Sequence, residues 1–244
     1  MESVEASNIQ SNIFRANFVA GAALELKDFC SHLAGLVHQF IGATVRSGPL
    51  EAYNKFNAMP RENQVAIIQA LNSQADFIAS AIAAGLDGHD EIGILKHALG
   101  KLRLIGSQDV IDKIEQDDVI EVLDENSCQV YRSFSCFDLC NYSLEELASY
   151  PWYELYDRSS KITQDTLNVI NSVIEGKCQY VSLSTKIPEY TMSETRTEKP
   201  VTFIMKEKFM AALVHAPTNK KYVLSVKRVR ELPLERNAAP VAFI

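Results

Sequence analysis

Apolar side chains in the first hundred residues recur at steps of three and four. Within residues 13–45, Phe18, Ala22, Leu26, Phe29, Leu33, Leu36 and Phe40 trace one face of a helix. Ser47-Gly48-Pro49 breaks the pattern, because proline cannot continue a helix and glycine leaves one readily. A short helix through Leu50, Tyr53 and Phe56 ends before Pro60. The stripe returns from Arg61 to Ala84 at Val65, Ile68, Leu71, Ala75, Ile78 and Ile82, and Gly85 and Gly88 close it. Ile92, Leu95, Leu99 and Leu102 form a further stripe between Glu91 and Leu104. Helical segments with short connections predict an all-helical bundle over residues 1–106.

The period changes near residue 107. Residues 107–116 read as an amphipathic helical linker carrying Val110, Ile111 and Ile114. Val119-Ile120-Glu121-Val122-Leu123 is a β-branched run that meets the turn Asp124-Glu125-Asn126-Ser127, and Cys128 to Phe134 returns as its hairpin partner. Ser143-Leu144-Glu145-Glu146 is a capping box, which starts a short helix that stops before Pro151. A longer helix runs from Ile162 to Ile174 and ends at Gly176. Strand-like stretches follow at 178–187, 201–214 and 222–229, the last two joined by Ala216-Pro217-Thr218-Asn219, and the polar stretch 189–199 is the longest expected loop. This order predicts an α+β domain over 117–232, with an antiparallel sheet and helices on one face, then a tail at 233–244.

Composition narrows the function classes. The 244 residues carry 24 basic against 31 acidic side chains, a net charge of −7, which argues against a broad nucleic-acid surface. No apolar run reaches the length that spans a bilayer, and the first thirty residues lack the basic and apolar regions of a secretory signal, so no membrane partner is expected. Cys30, Cys128, Cys136, Cys140 and Cys178 form no CxxC pair, which favours a reducing cytoplasm. Hydrolase elbow, Walker loop, kinase, zincin and dinucleotide signatures are all missing, so a non-enzymatic role is expected.

The run Asp117 to Asn126 resembles the entry hairpin of PAS sensor domains, preceded as in many of them by an amphipathic helix. Asn141-Tyr142-Ser143-Leu144-Glu145-Glu146-Leu147, followed by Pro151-Trp152-Tyr153-Glu154-Leu155, is similar to the stretch that comes next in that family. The resemblance covers roughly residues 110–232 and marks a fold more than a reaction. It implies a curved sheet with helices over one face and a space between them that can hold a small ligand. Trp152, Leu155, Ile170, Phe209 and Leu213 would line that space, a composition suited to an apolar or planar molecule. The plainer alternative is that these residues fill a solid core.

Other chemistry is thinly represented. Cys136 and Cys140 sit four apart in Ser-Cys-Phe-Asp-Leu-Cys-Asn, without the asparagine-cysteine-arginine phrase of a flavin photosensor, and read as small buried hydrophobes. The Ile162–Ile174 helix offers no histidine for haem, and His215 reads as a turn residue. His32 and His38 are six apart and do not share a helix face well. His97, in Lys96-His97-Ala98-Leu99-Gly100-Lys101, has the residue types of a phosphotransfer histidine, with glycine and lysine in exchanged order. Lys220, Lys221, Lys227, Arg228 and Arg230 form the most basic patch and read as a solvated hairpin edge. The reading is a cytoplasmic signalling protein whose PAS-like half senses a small molecule or mediates protein association, with a protein partner or a homodimer. No cofactor is named. The alternatives are a phosphorelay intermediate using His97 and an effector or other interaction protein without a ligand.

Overall fold

The computed structural model describes residues 25–126, 128–197 and 199–232. The start of the expected 13–45 helix, with Phe18 and Ala22, and the tail at 233–244 lie outside them. The chain is a mixture of helix and sheet, with an N-terminal helical region and a curled antiparallel sheet.

The helical region contains α1 (25–41), α2 (Leu50–Asn57), α3 (Arg61–Ala83) and α4 (Glu91–Lys101). Helix α1 buries Leu26 and Leu33 of the expected face together with Cys30 and Val37 beside it, and Phe29, Leu36 and Phe40 are partly covered. Helix α3 is long and apolar enough to cross a membrane by length and composition. It turns Leu71, Ala75, Phe77, Ile78 and Ala81 inward instead, against α4 and the sheet. Helix α4 starts at Asp90, whose side chain accepts from Gly93 N–H, and ends at Lys101. The expected continuation to Leu104 fails because Arg103 takes a left-handed conformation (φ 53°), and Leu104–Ile105 become β1.

Of the linker at 107–116, only α5 (Gln108–Ile111) is helical. The sheet is built from β2 (Asp118–Leu123), β3 (Gln129–Arg132), β4 (Tyr156–Asp157), β5 (Tyr180–Ser182), β6 (Tyr190–Glu194), β7 (Thr202–His215) and β8 (Lys221–Glu231). Its order is β3-β2-β8-β7-β6-β4, with β1 and β5 also pairing along β7. Helices α6 (Ser135–Leu139), α7 (Leu144–Ser149) and α8 (Trp152–Leu155) fill the passage from β3 to β4, and α9 (Ser160–Ile174) packs on β7 and β8. The capping box forms as expected, Ser143 Oγ accepting from Glu146 N–H while the Glu146 carboxylate accepts from Ser143 N–H.

The polar stretch expected as a loop instead contains β6. Tyr190, Met192 and Glu194 alternate inward, and the Glu194 carboxylate accepts from Asn141 N–H (2.6 Å), Thr197 Oγ1 (3.0 Å) and Val201 N–H (3.1 Å), which makes up for the scarcity of apolar side chains.

Apolar clusters pack on both faces of the sheet, while Lys206 and Arg230 leave one end of the first face exposed. One apolar cluster joins Leu33, Phe77, Ile94 and Leu95 of the helical region to Ile120, Val122, Tyr131, Phe209, Leu213, Leu224 and Val226 of the sheet. Phe134 sits at the joint, its ring 5.4 Å from Phe40 and 6.5 Å from Phe77. A second cluster packs Ile170 and Val173 of α9 on Leu123, Met205, Met210 and Val223. Alternation along β2 and β8 therefore separates two faces that each carry a cluster.

Candidate ligand site

A cleft of about 670 Å³ runs past the open edge of the sheet at β3. One wall is α3 (Asn63, Ile67, Ala70, Gln74), the end is formed by α7 and α8 (Leu147, Tyr150, Trp152), and the other wall is α9 (Thr166, Leu167, Ile170) with the inner face of the sheet. Gln74 Nε2 donates to the carbonyl of Gln129 across the entrance at 3.1 Å, tying α3 to β3. A smaller chamber of about 80 Å³ adjoins it, reaching Cys136, Cys140, Tyr156 and Phe203, and shares Arg132, Trp152 and Arg158 with the main cleft.

Strand register places charged residues on the inner face. Arg132 of β3 stands opposite Glu121 of β2, Glu121 opposite Ser225 of β8, and Ser225 opposite Met210 of β7. The next row sets Val119, Lys227 and Glu207 side by side. Directly paired residues share a face, so Glu121, Arg132, Glu207 and Lys227 all line the cleft. Lys227 was expected on a solvated edge; its side chain is 15% exposed, because α8 and α9 cover the face it occupies.

A bulge in β7 decides which apolar residues join them. Glu207 pairs with Lys227 and Phe209 with Val226, so Lys208 is an extra residue that reverses the alternation. Glu207 and Met210 consequently face the cleft, whereas Phe209 and Leu213 pack in the core shared with the helical region. Of the five residues that the resemblance implied, Trp152, Leu155 and Ile170 line the cleft together, and Phe209 and Leu213 point away from it.

The charges form a network. Lys227 Nζ donates to Glu121 Oε2, Gln129 Nε2 donates to Glu121 Oε1 at 2.9 Å, and Arg132 Nη2 lies 3.9 Å from that same oxygen. Burial raises the affinity of Glu121 for a proton, but the Lys227 and Arg132 charges outweigh it and hold the carboxyl below its ordinary value. Tyr190 OH donates to Glu207 Oε1 at 2.9 Å and accepts from Arg158 Nη1 at 3.3 Å. Arg158 also donates from Nε to Thr163 Oγ1 at 3.1 Å, and its guanidinium lies 4.0 Å over the Trp152 ring, a cation–π arrangement. Burial pushes the Cys136 thiol up to about 12, so it stays protonated and unreactive at neutral pH. The site has the makings of a binding cavity with apolar walls and a few converging polar groups.

The remaining candidates lie elsewhere. His97, on α4, bonds through Nε2 to Ser80 Oγ (2.7 Å), and Ser80 itself donates to the Phe77 carbonyl, so the imidazole is part of the α3–α4 seam. His215 Nδ1 bonds Thr218 Oγ1 (2.7 Å) in the β7–β8 turn. His32 and His38 are exposed on α1, and among the described residues no cluster of His, Cys, Asp or Glu could hold a metal ion. Arg228 pairs with the fully buried Asp118 at 2.9 Å, and Arg230 with Glu189 at 2.8 Å. Sequence reading missed Glu121, Arg132, Arg158, Glu207 and Lys227 as site residues. For the four strand residues the only signal was polarity at alternate positions, which in a sheet with one open face marks the solvent side, and Arg158, between β4 and α9, carried none. No known protein family matches this chain, and neither does any curated protein.

Proposed function

We propose that this chain is a non-catalytic cytoplasmic signalling protein whose second half is a PAS-like sensor that binds a small molecule. The observation that carries the reading is the cleft of about 670 Å³, a size suited to a metabolite, with charged groups held inside apolar walls. The entry hairpin β2–β3, the short helices after it, and α9 lying over β7 and β8 support the PAS-like part, since the resemblance implies helices over one face of a curved sheet.

The output runs through the helical region. Helix α3 forms one wall of the cleft and is tied to β3 by Gln74, so an occupant touches both parts of the chain. A ligand that binds better to one α3–β3 spacing shifts the population toward it and alters the surface that the helical region offers a protein partner or a second copy. Native mass spectrometry and the absorption spectrum of freshly purified protein test the reading. A retained small molecule, lost when Ser225→Phe fills the cleft, supports it. Bare 27.2 kDa protein whose thermal unfolding is indifferent to a metabolite library counts against it.

A further inference from the structure

The cleft contains more hydrogen-bond donors than its own acceptors satisfy. Of the nine buried side-chain atoms without a partner among the described residues, four belong to side chains of the cleft: the donors Arg132 Nε, Arg158 Nη2 and Trp152 Nε1 and the acceptor Glu207 Oε2. Buried polar atoms are nearly always paired, so several orphans around one space point to an occupant that pairs them. All four side chains line the cleft, and the three donors also border the inner chamber.

The charges define the missing partner. Lys227 and Glu121 satisfy each other, which leaves Arg132 with a carboxylate oxygen only at 3.9 Å. Thr163 and Tyr190 take up Arg158 Nε and Nη1, so the guanidinium is held at the cleft wall with Nη2 left over. Arg132, Arg158 and Lys227 against Glu121 and Glu207 leave one positive charge, which suits a monoanion better than a phosphate. Guanidinium groups match the two oxygens of a carboxylate, and Leu155, Ile170 and Met210 offer apolar surface beside them.

Resting on the ligand-binding reading above, we infer that the cleft takes a small carboxylic acid with a flat or apolar body. Its carboxylate is received by Arg132, Arg158 and Trp152, and a hydroxyl or amino group of the same molecule donates to Glu207 Oε2.

Trp152 is the single tryptophan of the chain, so its fluorescence reports on the cleft directly. The probes are benzoate, phenylacetate and 4-hydroxyphenylacetate, each compared with its primary amide. The expected result is saturable quenching by the acids, with the amides about 10-fold or more weaker. Arg132→Gln and Arg158→Gln, checked for folding by circular dichroism, bring the acids down to the level of the amides. The phenolic acid exceeds phenylacetate in the parent protein and loses that advantage in Glu207→Leu. Acids and amides binding alike in the parent protein overturn the inference and leave the cavity reading intact. Failure of every probe at millimolar concentration, in both fluorescence and thermal unfolding, overturns the inference, and indifference to the metabolite library as well overturns the ligand-binding reading. If the arginine variants do not fold, the comparison of acid with amide in the parent protein decides alone.

Discussion

Lys227→Met removes one partner of the ion pair inside the cleft while keeping the apolar stem of the side chain. The side chains of Glu121 and Lys227 are 17% and 15% exposed, so the carboxylate left behind has little water to replace the ammonium. Gln129 still donates to it, and Arg132 stands 3.9 Å away. Breaking a buried pair costs about 3–5 kcal/mol, and these two remaining groups place the loss near the lower end, about 3 kcal/mol. For a chain of this size that corresponds to a fall in Tm of roughly 6–12 °C.

The cost also depends on pH, and the sign follows from the charges. In the parent protein Glu121 titrates below its ordinary value, so its contribution is present above the ordinary carboxylate range and is lost as pH falls through the lowered folded value. Without Lys227, burial is the largest influence left, the carboxyl moves up, and its contribution reverses, so stability falls as pH rises. The gap between parent and variant therefore widens from pH 4 to pH 7. Urea unfolding followed by circular dichroism at both values measures it, and Glu121→Gln/Lys227→Met should recover part of the loss at pH 7. A cost below about 1 kcal/mol at pH 7, or an equal cost at both pH values, refutes the claim that this pair is buried and coupled.

Substitutions at three further positions probe how the helical region and the sheet are joined. Gly48→Ala places a Cβ 2.5 Å from Glu145 Cβ, so α7 must shift on the 46–48 segment; calorimetry should show a loss of about 1–3 kcal/mol, with Gly48→Ser no milder. Phe134→Ala empties the contact between Phe40 and Phe77 and should cost about 3–5 kcal/mol, helix and sheet signals still melting together, since the shared core couples them. Glu91 accepts from the N–H groups of Phe134 (3.2 Å) and Ser135 (2.7 Å), and its burial raises its carboxyl above the ordinary value. Its contribution is fully present below that ordinary value and is lost as pH rises through the folded one, so Glu91→Gln should flatten this part of the stability profile while keeping an acceptor for one N–H.

The helices and hairpins were legible because their signals are local. Leu71, Ala75 and Ile78 repeat at helical spacing, proline and glycine punctuate them, Ser143 and Glu146 cap α7 from three residues apart, and β7 and β8 alternate on either side of a turn. Strand β6 was less legible, since Tyr190, Met192 and Glu194 alternate with too little apolar surface and depend on the distant Asn141 for order.

The candidate site was half legible. Trp152, Leu155 and Ile170 could be chosen as apolar residues in the right segments, but Phe209 and Met210 exchange roles through the single extra residue Lys208, whose position depends on pairing with β8. The sequence by itself determined which residues alternate and where the elements begin and end, because those depend on neighbours a few positions away. Only the tertiary structure decided that the face carrying Glu121 and Lys227 is covered, by α8 and α9, while the helical region packs on much of the other. Glu121, Arg132, Glu207 and Lys227 thereby became the interior of a cleft, and the low dielectric of that interior makes their charges specific.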